Sequence, residues 1–503
     1  MDRESTAGSP GVRMSTAQGR WVLAATIAGS GVAMLDATVV NVALAQIGSE
    51  FGAGFSALQW IANAYTLTLA SFILLGGVLG DRFGRRRVFL IGVVWFALAS
   101  ALCAVSVDEG MLIAARALQG IGGALLTPGS MAIISATFVT QDRARAVGAW
   151  SGLGGIAGAV GPFLGGWLVG FSWRWVFLIN LPLAVVIVVV ALKHVPETRD
   201  SSVHEERRRI DLAGTALVVL ALSGITYALT RAGQDGWSPL VVGLAVAGLL
   251  FGIGFVLVEQ RTADPLMRLG MFADRVFAAA NVATLFIYAG LSVYFFLMVL
   301  QLQLVSGWSP LAAGTSLLPV TALMLVLSAR FGALSQRVGP RALMTVGSLL
   351  VAAGFGLALR VGPDAGYVTD VLPSVVLLGL GLSCAVAPLT AAVLAAAPDH
   401  LAGAASGINN ATARSAGLLA IAVIPAVAGL GRAGAGDAAA LDRGFDLSML
   451  ICAVLLVAAA AVSWFGLARS AEPPAVQPVG DLAVHRNPHC AVTGPHLHPD
   501  ERR

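Results

Sequence analysis

Polar and apolar positions along this chain are arranged in blocks. Predominantly apolar runs of about 20 residues, the length a helix needs to cross a bilayer, recur along almost its whole length. They fall near 21–45, 57–80, 88–107, 111–138, 146–170, 175–192 and 212–230. Seven more lie near 238–258, 276–305, 310–329, 342–359, 371–397, 401–431 and 447–468. Between them lie short polar segments rich in arginine. The blocks predict an all-α integral membrane protein with fourteen transmembrane helices. The short run 175–192 is entered through Trp173 and Trp175, which sit where an interfacial aromatic belt would place them.

One polar segment occurs twice. Gly77–Arg86 reads G-V-L-G-D-R-F-G-R-R, and Gly332–Arg341 reads G-A-L-S-Q-R-V-G-P-R. Gly77, Leu79, Arg82, Gly84 and Arg86 return as Gly332, Leu334, Arg337, Gly339 and Arg341, all at one offset. Gly148, Ser151 and Gly152 return as Gly403, Ser406 and Gly407 at that same offset. This lays helices 1–6 over helices 9–14 in parallel orientation and leaves helices 7 and 8 as an inserted hairpin. The expected organisation is a cytoplasmic tail 1–20, a six-helix half 21–192 and a cytoplasmic linker 193–211. The inserted helices with their loop follow at 212–275, then a second half 276–468 and a disordered tail 469–503. Parallel repeats with a ligand site near the midplane between them are one architecture of secondary transporters.

Charge orients this arrangement. Most of the 31 basic residues fall in the N-tail, the even-numbered loops and the C-tail, while the odd-numbered loops hold only Arg174, Arg231, Arg360, Arg432 and Arg443. Cytoplasmic loops carry the excess of Lys and Arg, so both termini and the Gly77–Arg86 turn are expected in the cytoplasm. Residues 193–211 hold five acids and five bases, which cancel, and read as a solvated linker.

Composition narrows the function classes. With 57% hydrophobic and 12% charged residues, against about 25% charged in soluble domains, an ordinary soluble enzyme is excluded. The four cysteines are scattered and make neither a disulfide framework nor a zinc site. All seven histidines lie in the expected cytoplasmic segments, which leaves no intramembrane metal site and argues against an intramembrane enzyme. No G-x-x-x-x-G-K-[ST] loop is present, so ATP-driven pumping by this chain is not expected. The His-bearing tail (H-R-N-P-H-C, H-L-H) reads as disordered, not as a metal site.

Five motifs then stand in order. They are L-D-A-T-V-V-N-V-A-L (Leu35–Leu44), the Gly77–Arg87 turn, L-I-A-A-R-A-L-Q-G-I-G-G-A (Leu112–Ala124), G-A-V-G-P-F-L-G-G (Gly158–Gly166) and W-R-W-V-F-L-I-N-L-P (Trp173–Pro182). Together they resemble the major facilitator superfamily and, within it, the fourteen-helix drug:proton antiporters. The likeness runs from about Trp21 to Phe465. Departures are Ala157 and Ala45, where the family often has glycine and proline, and Gln336 in place of the acid Asp81 in the second turn. The resemblance implies a proton-coupled exporter of a small amphipathic drug, antibiotic or metabolite, acting as a monomer in the cell membrane. It implies no cofactor beyond the proton gradient and no nucleic-acid partner. A nutrient importer of the same fold is the alternative.

The site residues follow from burial cost and from this resemblance. Asp36 lies about 22 Å along helix 1 from Trp21 at 1.5 Å per residue, well inside the hydrocarbon layer. A charge there costs about 2.5–3.5 kcal/mol, so it must face an internal cavity or be neutralised. It is the expected proton-exchanging acid, with a helix-packing hydrogen bond to Thr38 or Asn41 as the structural alternative. Arg116 in helix 4 is subject to the same cost, and the resemblance gives it a part in proton transfer. Whether the two meet is not legible in sequence. Gly77, Asp81, Arg82, Gly84, Arg85 and Arg86 are the expected cytoplasmic gate, with Asp81 reaching an arginine or helix terminus of the other half. Gly158, Gly161, Pro162, Gly165 and Gly166 form the antiporter motif, whose small-xxx-small steps permit close helix packing. Trp60, Asn63, Tyr65, Asn281, Tyr288, Tyr294, Gln301 and Arg414 are candidates for the substrate cavity; for Arg414 the alternatives are cytoplasmic gating and anchoring near the inner surface. Helices 10 and 13 carry no acid, which favours neutral or anionic substrates over polycations.

Overall fold

The computed structural model describes residues 11–198, 211–262, 265–398, 401–432 and 437–467, and the described chain is helical almost throughout. In chain order the long helices are α1 (Ala17–Phe51), α2 (Phe55–Phe83), α3 (Arg85–Ala104), α4 (Glu109–Thr137), α5 (Thr140–Val169), α6 (Trp175–His194) and α7 (Leu212–Asp235). They continue as α8 (Pro239–Arg261), α9 (Arg275–Val305), α10 (Pro310–Val338), α11 (Pro340–Ala358), α12 (Tyr367–Ala395), α13 (Gly403–Val427) and α14 (Ala438–Gly466). Among the described residues thirteen are long and apolar enough to cross a membrane. The thirty-residue α5 takes the place of the remaining expected span, with an apolar stretch at Val160–Val169. Most of the linker 193–211 and all of 468–503 lie outside the described residues.

The apolar blocks settle in two ways. Inward positions build a core that runs from Val39, Leu44 and Ile61 through Phe296, Phe355 and Phe445. Outward positions leave large aliphatic side chains bare, among them Leu98, Leu240, Leu250 and Val454, each more than half exposed. In water such a surface would be a liability. Around a helix bundle of this length it is the surface that lipid covers. The hairpin α7–α8 packs on itself, and α7 rests on α2 and α13.

Both copies of the repeated turn are tight corners between antiparallel helices. Gly84 between α2 and α3 has φ +107°, and Gly339 between α10 and α11 has φ +80°. Only glycine takes such values without steric cost, which explains why these two positions match across the repeat.

The two six-helix bundles meet most closely on the face opposite these turns. There the Gln303 side-chain amide of α9 donates to the Val42 carbonyl of α1 (3.0 Å), and that of Gln59 in α2 donates to the Ile421 carbonyl of α13 (2.7 Å). The Phe55 and Phe296 rings meet edge to face at 5.8 Å. Toward the turn face, the contacts that cross between bundles come from the first turns of α13, with Ser406 against Met131 and Gly407 against Leu74.

Candidate functional site

Asp36 is wholly buried inside the first bundle, and its carboxylate is fully engaged. Oδ2 accepts from Arg116 Nη1 at 2.5 Å, while Oδ1 accepts from Gln119 Nε2 at 2.8 Å and Asn180 Nδ2 at 2.9 Å. Arg116 and Gln119 stand three apart on α4, so both side chains point at α1 from one helix face. Nη1 of Arg116 also donates to Gln119 Oε1 (2.6 Å) and its Nε to the Ile61 carbonyl (3.2 Å). Ser100 of α3 accepts from both Gln119 (2.8 Å) and Asn180 (3.2 Å). The guanidinium lies 4.5 Å above the Tyr65 ring and 5.8 Å from that of Phe177. The acid therefore does not face the space between the bundles: a closed, buried network neutralises it. The bonds to Thr38 or Asn41 that sequence left open do not form, since Thr38 bonds back to Met34 and Leu35.

Asn180 owes its position to a break in α6. The helix runs Trp175–Leu178, loosens at Ile179 and resumes at Asn180. The preceding W-R-W segment clips α6 to the end of α1. Trp173 Nε1 donates to Glu50 Oε2 (2.6 Å), Arg174 Nη1 donates to Glu50 Oε1 (2.7 Å), and Arg174 stacks over Trp173 at 4.3 Å. Trp173 is thus completely buried and not part of an interfacial belt, while Trp175 is half exposed.

At the Gly77–Arg86 turn Asp81 does not reach the other bundle among the described residues. Asp81 pairs with Arg85 one helical turn away (2.8 Å). The turn is instead held by the chain leaving α6. Glu197 accepts from the backbone N–H groups of Arg86 (3.1 Å) and Arg87 (3.2 Å), capping the start of α3. The Thr198 carbonyl accepts from Arg85 N, and that of Val195 from the Arg86 side chain. A Cβ on Gly84 would stand 2.7 Å from Glu197 Oε1. Residues 195–198 are therefore a clamp on the turn, not a solvated linker. A carboxylate at a helix N-terminus satisfies orphan amides and meets the positive end of the helix dipole.

The glycine motif of α5 makes two close approaches. A Cβ at Gly161 would fall 1.9 Å from Thr38 Oγ1, which seats α5 on α1. On the other flank, Gly166 lies against the Pro310 carbonyl (2.6 Å to an added Cβ) and Gly314 against the Pro162 carbonyl (2.1 Å). Two helices from different bundles thus touch backbone to backbone, where no side chain fits. Gly165 packs on Val39, and the surroundings of Gly158 lie outside the described residues.

The model of the Major Facilitator Superfamily matches residues 26–422. The chain belongs to that superfamily. This major facilitator is 34% identical to the puromycin resistance protein pur8 of Streptomyces alboniger, over 88% of this chain and 90% of the other. It is 33% identical to the cephamycin export protein CmcT of Amycolatopsis lactamdurans, over 94% and 97% of the two chains. Among solved structures, a peptide transporter of the POT family in complex with sulfate superimposes with a TM-score of 0.63 at 15% identity, over 91% of this chain and 98% of that one. The D-xylose-proton symporter gives 0.62 at 16% identity, over 90% and 98%. These two likenesses establish the fold. The chain is a multi-pass membrane transporter of small molecules, not an enzyme.

The cavity candidates of this major facilitator divide. Tyr65 is buried beneath Arg116 and donates to the Ala33 carbonyl (3.3 Å). Tyr294 shares a hydrogen bond with Ser374 (3.1 Å) and stacks on Phe355. Gln301 donates to Val361 O and Asp442 inside the second bundle. Asn281 accepts from Asn409 (3.2 Å). Trp60 stands against Tyr227 of the inserted hairpin and lines a small pocket there. Asn63 is buried with neither amide atom hydrogen-bonded. Tyr288 and Arg414 are only half-buried. Gln119, Ser100, Asn180 and Glu197 were missed in sequence. Gln119 lies within the helix-4 motif and Asn180 within W-R-W-V-F-L-I-N, so their motifs were the available signal; Ser100 and Glu197 carried none.

Proposed function

We propose that this protein exports a small amphipathic drug, antibiotic or metabolite in exchange for protons, by alternating exposure of a site between its two bundles. The termini and the Gly77–Arg86 turn face the cytoplasm, and one chain is the functional unit. The observation that carries the coupling is the closed Asp36–Arg116–Gln119–Asn180 network. The curated relatives that are named for resistance and export support the direction and the substrate class.

The network offers a physical route to coupling. A proton on Asp36 removes the charge that holds Arg116, while Gln119 and Asn180 still contact the carboxyl. The arginine is then left with the Ile61 carbonyl, Gln119 and two aromatic faces. A buried guanidinium without its counter-charge is costly, so the bundle gains by rearranging α4 against α1. α1 is also the helix on which α5 rests through Gly161, and α5 is the helix that meets α10. Protonation inside one bundle is thereby linked to the seam between the two.

The test is proton flux in sealed everted vesicles while a panel of amphipathic antibiotics is added, wild type beside Asp36→Asn. Export predicts drug-dependent proton movement in wild type alone. Proton movement that accompanies uptake toward the cytoplasmic side identifies an importer. Drug movement unchanged by Asp36→Asn removes the acid from coupling.

A further inference from the structure

We infer that Arg414 is the anion-binding residue of the transport pathway and that the exported molecule carries a carboxylate or equivalent acidic group. This rests on the exporter reading above and narrows its substrate class. Arg414 stands near the middle of α13, at least about 16 Å from either end at 1.5 Å per residue. An arginine at that depth costs about 2.5–3.5 kcal/mol and is ordinarily paired. Arg116, the intramembrane arginine of α4, is neutralised by Asp36. Arg414 has no ion pair with any acid among the described residues.

Its surroundings place it where the two bundles face each other. α13 packs against α9 of its own bundle and against α2 of the first bundle. The rest of α13 is occupied with packing. Asn409 donates to Asn281 and Thr284 (2.7 Å) of α9, Gly417 lies against Ser292, and the Ile421 carbonyl accepts from Gln59 of α2. Neighbours a turn or two on either side thus bind α13 to both bundles, while Arg414 between them stays half-buried. A guanidinium presents a planar fork that receives a carboxylate through two parallel hydrogen bonds. No acid among the described residues supplies its counter-charge, and an acidic substrate does.

The experiment is binding to the purified full chain of 7-methoxycoumarin-3-carboxylic acid and its ethyl ester. Two further aromatic acids with their methyl esters are added, together with proton influx in vesicles for each compound. Wild type is expected to bind the acids more tightly than the esters. Arg414→Gln should weaken the acids roughly 10- to 100-fold, as loss of a charged hydrogen bond predicts, and leave ester binding within about twofold. Arg414→Lys, which keeps the charge, should retain part of the preference and guards against a folding defect. Wild type that binds no acid, or binds acids no better than esters, overturns the assignment. So does Arg414→Gln weakening both forms equally, which marks a structural arginine. Ester-driven proton influx with no acid preference would leave the exporter reading standing and remove the anion. Acid binding lost in Arg414→Gln without proton influx in wild type would do the reverse.

Discussion

Arg116 of α4 reaches across to Asp36 of α1 and donates to its carboxylate at 2.5 Å, with both residues almost completely withdrawn from the surface. Neither tolerates removal of the other. Breaking a buried pair by deleting one partner costs about 3–5 kcal/mol because the remaining charge is stranded. Arg116→Gln is therefore expected to lower the thermal midpoint of the purified protein by several degrees and to abolish transport. Asp36→Asn/Arg116→Gln together should recover much of the stability but none of the proton coupling. Differential scanning of the three variants beside vesicle transport separates these effects.

Asn180 tests whether the network is tuned or merely filled. Asn180→Ala removes one donor to Asp36 and one to Ser100 without touching Arg116. A hydrogen bond to a charged group contributes about 1.5–3 kcal/mol. The variant should fold and reach the membrane, with drug-driven proton flux reduced several-fold, because the carboxylate of Asp36 has lost one of its donors. Flux equal to wild type would show that Asn180 only packs.

Glu197 caps α3 from a segment beyond α6, and its removal is expected to loosen the turn. Glu197→Ala leaves two backbone amides without their acceptor; lost caps cost about 0.5–2 kcal/mol. Limited proteolysis should cut this variant near residues 195–211 faster than wild type, with transport reduced. Glu197→Gln, which keeps an acceptor but not the charge, should fall between. Equal cleavage of all three would show that the clamp carries no weight.

The contact of Gly314 with the Pro162 carbonyl leaves no room for a side chain. Gly314→Val or Gly166→Val should hold α5 and α10 apart while the bundles fold normally, since the clash lies between them. Transport should fall at least tenfold with normal amounts of protein in the membrane. A Gly314→Val protein that transports as wild type would mean the two helices need not meet during the cycle.

Asp81 and Arg85 form a half-buried local pair one helical turn apart, and helix pairs at that spacing contribute about 0.3–0.5 kcal/mol. If Asp81 has a partner in the other bundle in a second state, Asp81→Asn should impair transport far more than it lowers the thermal midpoint. Arg85→Gln, which deletes only the local pair, should do little to either.

The extent of the helices, their duplication and the motif positions were legible in the chain because each depends on local properties. These are an apolar run as long as a bilayer is thick, a glycine that turns with positive φ at Gly84 and Gly339, and charges counted loop by loop. Asp36 and Arg116 stood out singly for the same reason, as costly residues in the wrong solvent. What neutralises them was decided by packing. Gln119, Ser100 and Asn180 are ordinary polar residues in sequence, and they become a site only because α3, α4 and α6 close around α1. Tyr65, Tyr294 and Gln301 show the converse: polar residues within spans, as a cavity lining would be, turned by helix rotation into the interior of one bundle. The chain fixed which groups cannot face lipid. Only the tertiary structure, which sets each helix's rotation and neighbours, decided whether such a group meets another side chain, as Asp36 does, or finds no acidic partner among the described residues, as with Arg414.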